Sequence, residues 1–364
     1  MNRAVKLLVI KLVAAALLAL PIVAEAALPK PPGQPVKGPG GRQRMHDSVT
    51  MARFGMGDSE YWLYTPANPV PSSAPVIVFL HGWGGMDPVS YGAWIDHLVV
   101  RGNIVIYPRY QATLLTSPTV MTENALQAVN DALVRLAESG VKPQLENFAI
   151  IGHSLGGVIA ANLACEAATG RIPPPKALML VEPGDSKNST TAEAFGLARD
   201  IPSIMRDYSV IPAGTLLLCV VGAEDQMVGA GAARTIFYGA TGVSRDGRDF
   251  VMANSDRRGS PQLIADHLAP LAPDERYRGE KHSRLRDRLR DKLGKSLPVA
   301  ERMERATVDA LDYYCFWKLA DALTEYAFHG FNREYALGCT YEQKNMGKWS
   351  DGVPVLTLEV TDMP

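Results

Sequence analysis

The run Phe148-Ala149-Ile150-Ile151-Gly152-His153-Ser154-Leu155-Gly156-Gly157 constrains this chain more than any other feature. An apolar strand pattern ends at Ile151, a helical run Val158-Ile159-Ala160-Ala161-Asn162-Leu163 follows, and G-x-S-x-G stands between them. So sharp a turn between strand and helix crowds its neighbours, which is why glycine is needed two residues either side of the serine. Ser154 is then pushed out at the carboxyl end of a sheet. The helix that follows aims its N-terminal amides at the same spot, where they favour developing negative charge. As a bare pattern G-x-S-x-G arises by chance, but in the order strand, turn, helix, with Gly157 added, it marks Ser154 as a candidate nucleophile.

Short apolar runs alternate with helical patterns along the chain. Strands are expected over Glu60 to Tyr64, Pro75 to Leu80, Asn103 to Tyr107, Phe148 to Ile151, Ala177 to Val181, Thr215 to Val221 and Asp249 to Met252. Runs apolar throughout, such as Val76-Ile77-Val78-Phe79-Leu80, imply a sheet buried on both faces. Helical spacing over Glu123 to Ser139 and Leu155 to Ala168 completes the alternation. The expected class is α/β, a doubly wound, mostly parallel sheet flanked by helices, with a helical C-terminal extension.

A nucleophilic serine needs a base and an orienting acid, expected after it in the order serine, acid, histidine. Past the buried strand Thr215 to Val221, the turn Gly222-Ala223-Glu224-Asp225-Gln226-Met227-Val228 offers two carboxylates, with Asp225 preferred. Glu224 and Asp185, the latter in Glu182-Pro183-Gly184-Asp185, remain rivals. His46, His81, His97 and His153 precede the serine, leaving His267, His282 and His329. His267, soon after the last strand, is the expected base. His282 lies in a charged stretch and His329 at a helix end. Upstream, His81-Gly82-Trp83-Gly84-Gly85 leaves a buried strand as an oxyanion loop, with Trp83 N–H and Leu155 N–H as the expected donors. His81 is expected to buttress that loop. No cofactor or metal is called for.

Residues 1–26 carry Arg3, Lys6 and Lys11, a twelve-residue apolar run from Leu12 to Val23, and Ala24-Glu25-Ala26. That is the pattern of a signal peptide, too short to span a bilayer, and it implies a periplasmic or secreted protein. The formal net charge is −1, and loss of Arg3, Lys6, Lys11 and Glu25 makes it more negative, so charge offers no case for nucleic acid. No integral membrane span is expected in the mature chain, and composition does not fix the oligomeric state. Residues 27–47 form a Pro/Gly-rich leader, and 48–270 the catalytic domain. Residues 271–364 hold a charged segment and an aromatic-rich extension packed on that domain. Within the extension, Ala306 to Phe328 is a helix candidate, either docked on the domain or a partial lid. Of the four cysteines, Cys165 and Cys219 are expected as buried small hydrophobes, leaving Cys315 and Cys339 able to pair.

From about Tyr61 to Leu268 the chain resembles the α/β-hydrolase superfamily. The run Pro75 to Gly84 is similar to the branch holding chlorophyllases, dienelactone hydrolases and secreted polyester hydrolases. The resemblance matches Gly152 to Gly156 to the family's nucleophile turn, His81-Gly82-Trp83 to its oxyanion loop, Gly222 to Val228 to its acid pattern, and His267 to its histidine. It implies an α/β-hydrolase fold and a serine hydrolase that cleaves a small-molecule or lipid-like carboxylic ester through Ser154, Asp225 and His267. The same scaffold also hosts acyltransferases and thioesterases, and a non-catalytic binding protein on it is the reading from another class.

Overall fold

The computed structural model describes residues 27–185, 202–279 and 306–364. The signal-peptide pattern, His282 and most of the charged segment fall outside the described residues. Among the described residues a nine-stranded sheet runs in the order β1-β2-β4-β3-β5-β6-β7-β8-β9. The strands are β1 (Ser48–Phe54), β2 (Tyr61–Ala67), β3 (Ser73–Leu80), β4 (Ile104–Pro108), β5 (Lys142–His153), β6 (Ala177–Val181), β7 (Leu216–Gly222), β8 (Arg248–Ala253) and β9 (Glu359–Thr361). The block from β4 to β8 is parallel, and β1, β2 and β9 pair antiparallel at its ends. This is the α/β-hydrolase fold, as expected.

Along β3, Val76, Val78 and Leu80 enter one core and Ile77 and Phe79 the other, the period-2 alternation of a strand buried on both faces. The first core is covered by α2 (Pro118–Glu138), α3 (Leu155–Glu166) and α4 (Gly231–Gly239). The second is covered by α1 (Gly92–Val100) and by α5 (Trp317–His329), which continues a π-helical turn over Asp312–Phe316. The aromatic C-terminal helix is therefore a layer of the core and not a lid: Trp317, Leu319, Ala320 and Leu323 are buried in it. Without α5 part of the parallel sheet would face water, so the extension completes the three-layer sandwich.

Three buried contacts fasten that layer. Asp321 accepts from His97 Nε2 at 2.8 Å, from Arg101 Nε at 3.1 Å and from the Gly40 amide at 2.7 Å. The Pro/Gly-rich leader is tied down, and Gly40 lies so close to the Tyr313 carbonyl that any Cβ there would collide. All four cysteines are free thiols, which corrects the pairing weighed for Cys315 and Cys339: Cys315 is buried in the π turn and Cys339 is exposed. Cys165 and Cys219 are buried as expected. Among the described residues no helix is long and apolar enough to cross a membrane.

The strand order reverses direction at β3. From β4 the chain crosses through α2 to β5 on the other side of β3, so β3 and β5 are neighbours whose following connections leave in opposite directions. A crevice opens at the carboxyl ends of such a pair. Both the serine turn and the glycine-rich loop emerge there.

Candidate active site

Ser154 follows β5 and precedes α3 with φ 57° and ψ −128°, a conformation that costs a non-glycine residue on the order of 1–3 kcal/mol. The neighbours show why the turn needs its glycines. A Cβ on Gly152 would strike the Gly156 carbonyl, and one on Gly156 the carbonyls of Leu80 and His81. The elbow is held from below by Ser154 N donating to Val181 O at 2.9 Å and by Gly184 N donating to Ser154 O at 3.0 Å.

His267 Nε2 stands 2.8 Å from Ser154 Oγ, and its Nδ1 stands 2.9 Å from Asp225 Oδ2. Asp225 lies just past β7 and its other oxygen accepts from the amides of Met227 at 2.9 Å and Val228 at 3.1 Å. Burial alone would raise this carboxyl's pKa. The His267 hydrogen bond and charge, with those two amides, outweigh it and hold Asp225 below the usual carboxylate range. A carboxylate that fixes Nδ1–H leaves Nε2 free to accept a proton from a hydroxyl, which is the geometry general-base chemistry requires.

The rivals are engaged elsewhere. Glu224 makes a bidentate pair with Arg257 at 2.6 Å on the surface, a hydrogen bond that pulls it down to about 2. Asp185 accepts from Ile204 N at 3.1 Å. His329 is the last residue of α5, stacked on Phe331.

The glycine-rich loop lies against the serine: a Cβ on Gly82 would come 3.1 Å from Ser154 Cβ. Gly85 N donates to Gly82 O at 2.9 Å, closing a turn with Gly84 at φ 81°. Trp83 occupies the first central position, whose N–H takes no part in the turn's own hydrogen bond. Leu155 is the first residue of α3, so its N–H has no acceptor within the helix. His81 is pinned between Gly82 O at 2.7 Å and Arg109 O at 2.8 Å and stacks on Tyr110 with ring centroids 4.2 Å apart. That is a bracing position. Burial pushes its pKa down to about 4.

Two participants were not singled out from sequence. Gln111 is fully buried and its Oε1 accepts from Gly84 N at 2.8 Å, fixing the glycine-rich loop from behind. Glu182, at the end of β6 with φ 47°, is fully buried beneath the histidine, its Oε2 3.6 Å from His267 Nδ1 and 3.5 Å from His153 Nε2. Burial, then the charges of Asp225 and Asp266, raise its pKa well above the ordinary 4.5, against a smaller opposing pull from the Gly222 amide. The available signal was position: an acid immediately after a fully apolar strand.

His153, Glu182 and His267 offer three ligand atoms within 4.8 Å of one another. They do not fit a metal as they stand, because His267 Nδ1 is bonded to Asp225 and His153 Nε2 to the His267 carbonyl at 3.0 Å.

The fold is that of an α/β hydrolase. Residues 63–205 match the family model described as Chlorophyllase, a segment that holds the glycine-rich loop and Ser154 and ends before Asp225 and His267. The chain is similar to that family over those residues. No curated protein matches it significantly.

Proposed function

We propose that this chain is an exported serine hydrolase that cleaves carboxylic esters through an acyl-enzyme. The observation that carries the reading is His267 bridging Ser154 Oγ and Asp225 Oδ2. Ser154 Oγ attacks the ester carbonyl carbon as His267 Nε2 takes its proton, and the oxyanion is held by Trp83 N–H and Leu155 N–H. The C–O bond to the alcohol then breaks, and His267 returns the proton to the departing oxygen. Water, deprotonated by the same nitrogen, attacks the acyl carbon; the bond from that carbon to Ser154 Oγ breaks, His267 returns the proton to Oγ, and the acid leaves. Asp225 keeps the productive tautomer and stabilises the imidazolium. The basic and apolar run in residues 1–26 supports export.

Steady-state hydrolysis of p-nitrophenyl acetate and longer acyl esters by the purified chain, beside Ser154→Ala, tests the reading. Turnover that disappears in the variant supports it. Equal rates in both proteins contradict it, and acyl transfer to an added alcohol in preference to water would reassign the chain as an acyltransferase.

A further inference from the structure

His153, the residue before the serine and the last of β5, sits at the centre of a hydrogen-bond chain that joins the loops carrying Gly82 and His267. Gly82 N donates to Tyr91 Oη at 3.0 Å, and Tyr91 Oη lies 2.7 Å from His153 Nδ1. His153 Nε2 lies 3.0 Å from the carbonyl oxygen of His267. A carbonyl only accepts, so Nε2 carries the hydrogen. Nδ1 then accepts from the tyrosine hydroxyl, whose oxygen is left to accept from the Gly82 amide. Every donor and acceptor in this chain is satisfied by one neutral tautomer. Glu182 Oε2, at 3.5 Å from Nε2, is the more distant acceptor.

The chain spans the two halves of the candidate machinery. Gly82 precedes Trp83, whose amide is assigned to the oxyanion, and His267 is the assigned base. We propose that His153, with Tyr91 as its bridge, is a positioning residue that fixes the base loop relative to the oxyanion loop. This rests on the ester-cleaving reading above and adds to it a role for a side chain that touches neither substrate nor the reacting atoms. Both residues are buried. Burial, reinforced by the neighbouring His267, lowers the His153 pKa to about 3, so its ring stays neutral while His267 cycles through its charged form. A buried group that never ionises transmits position and not charge.

The test compares Tyr91→Phe, His153→Asn, the double variant and His153→Gln, with wild-type turnover and covalent labelling of Ser154 by a fluorophosphonate measured alongside. Asparagine keeps an acceptor near the Nδ1 position and loses the donor to His267. Glutamine reaches the Nε2 position with a donor. Each single break is expected to lower kcat on the order of 10- to 10²-fold, the scale of an ångström-level misplacement, with KM changed less than about twofold. His153→Gln is expected to keep more activity than His153→Asn, and the double variant to be little worse than the poorer single. Losses that multiply in the double variant, or that fall on KM alone, overturn the assignment. Should His153→Asn fail to show a cooperative melt, Tyr91→Phe and His153→Gln carry the same comparison. A wild-type chain that neither turns over esters nor takes label defeats the parent reading, an outcome distinct from an active wild type with indifferent variants.

Discussion

Glu182 Oε2 lies 3.6 Å from Nδ1 of His267, on which Asp225 Oδ2 closes at 2.9 Å. Two acids therefore flank one imidazole, and their surroundings separate them. Asp225 receives two backbone amides, while neither oxygen of Glu182 has a hydrogen-bond partner of normal geometry among the described residues. One is kept ionised and the other is driven towards its neutral form.

Asp225→Asn should therefore cost far more than Glu182→Gln. With the tautomer no longer fixed, kcat/KM is expected to fall on the order of 10³- to 10⁴-fold, whereas glutamine in place of a protonated carboxyl should cost less than about tenfold. Side-by-side ester kinetics at neutral pH check this, and equal losses would show both acids sharing the work.

The raised Glu182 pKa also fixes a sign. Its folded value lies above the unfolded one, near 4.5, so its contribution to stability is full below that value and is lost as pH rises through the folded value. Melting temperatures of the wild type should decline more steeply as pH rises above about 5 than those of Glu182→Gln. Parallel curves would contradict the shift.

Asp321 runs the other way. Burial would raise its pKa, but His97 and Arg101 hold it below 3.8, so the stability it supplies is present above that value and disappears as pH falls through the folded one. Asp321→Ala leaves Arg101 and the Gly40 amide without this acceptor and is expected to cost about 3–5 kcal/mol in urea unfolding at neutral pH.

The sheet was legible where burial dominates composition. The apolar runs at Val76 to Leu80 and Ala177 to Val181 leave strands as the natural reading, and β3 and β6 follow. β1 was not, because Ser48–Phe54 lies at the sheet edge with much of its surface in water and shows no apolar alternation. β9 is three residues long, too short for any period to emerge. The triplet Ser154, Asp225 and His267 could be named from chain order and strand ends. Tyr91 and Gln111 could not, since what makes them matter is a neighbour distant in sequence that only the folded sheet supplies; Glu182 offers only its position directly after the apolar strand β6.

The free cysteines give a simple count. A thiol reagent should modify one residue, Cys339, quickly in the native protein and four after unfolding, with no change on prior reduction. Two thiols recovered only after reduction would restore the Cys315 to Cys339 pairing.

The most direct test of the central claim is intact-protein mass spectrometry of the chain mixed with a slowly deacylating p-nitrophenyl ester, in wild type, Ser154→Ala and His267→Ala. One acyl mass increment mapping to Ser154 is expected in the wild type, none in Ser154→Ala, and greatly slowed formation in His267→Ala. An increment that persists in Ser154→Ala, or ester turnover with no adduct at Ser154, would contradict that claim.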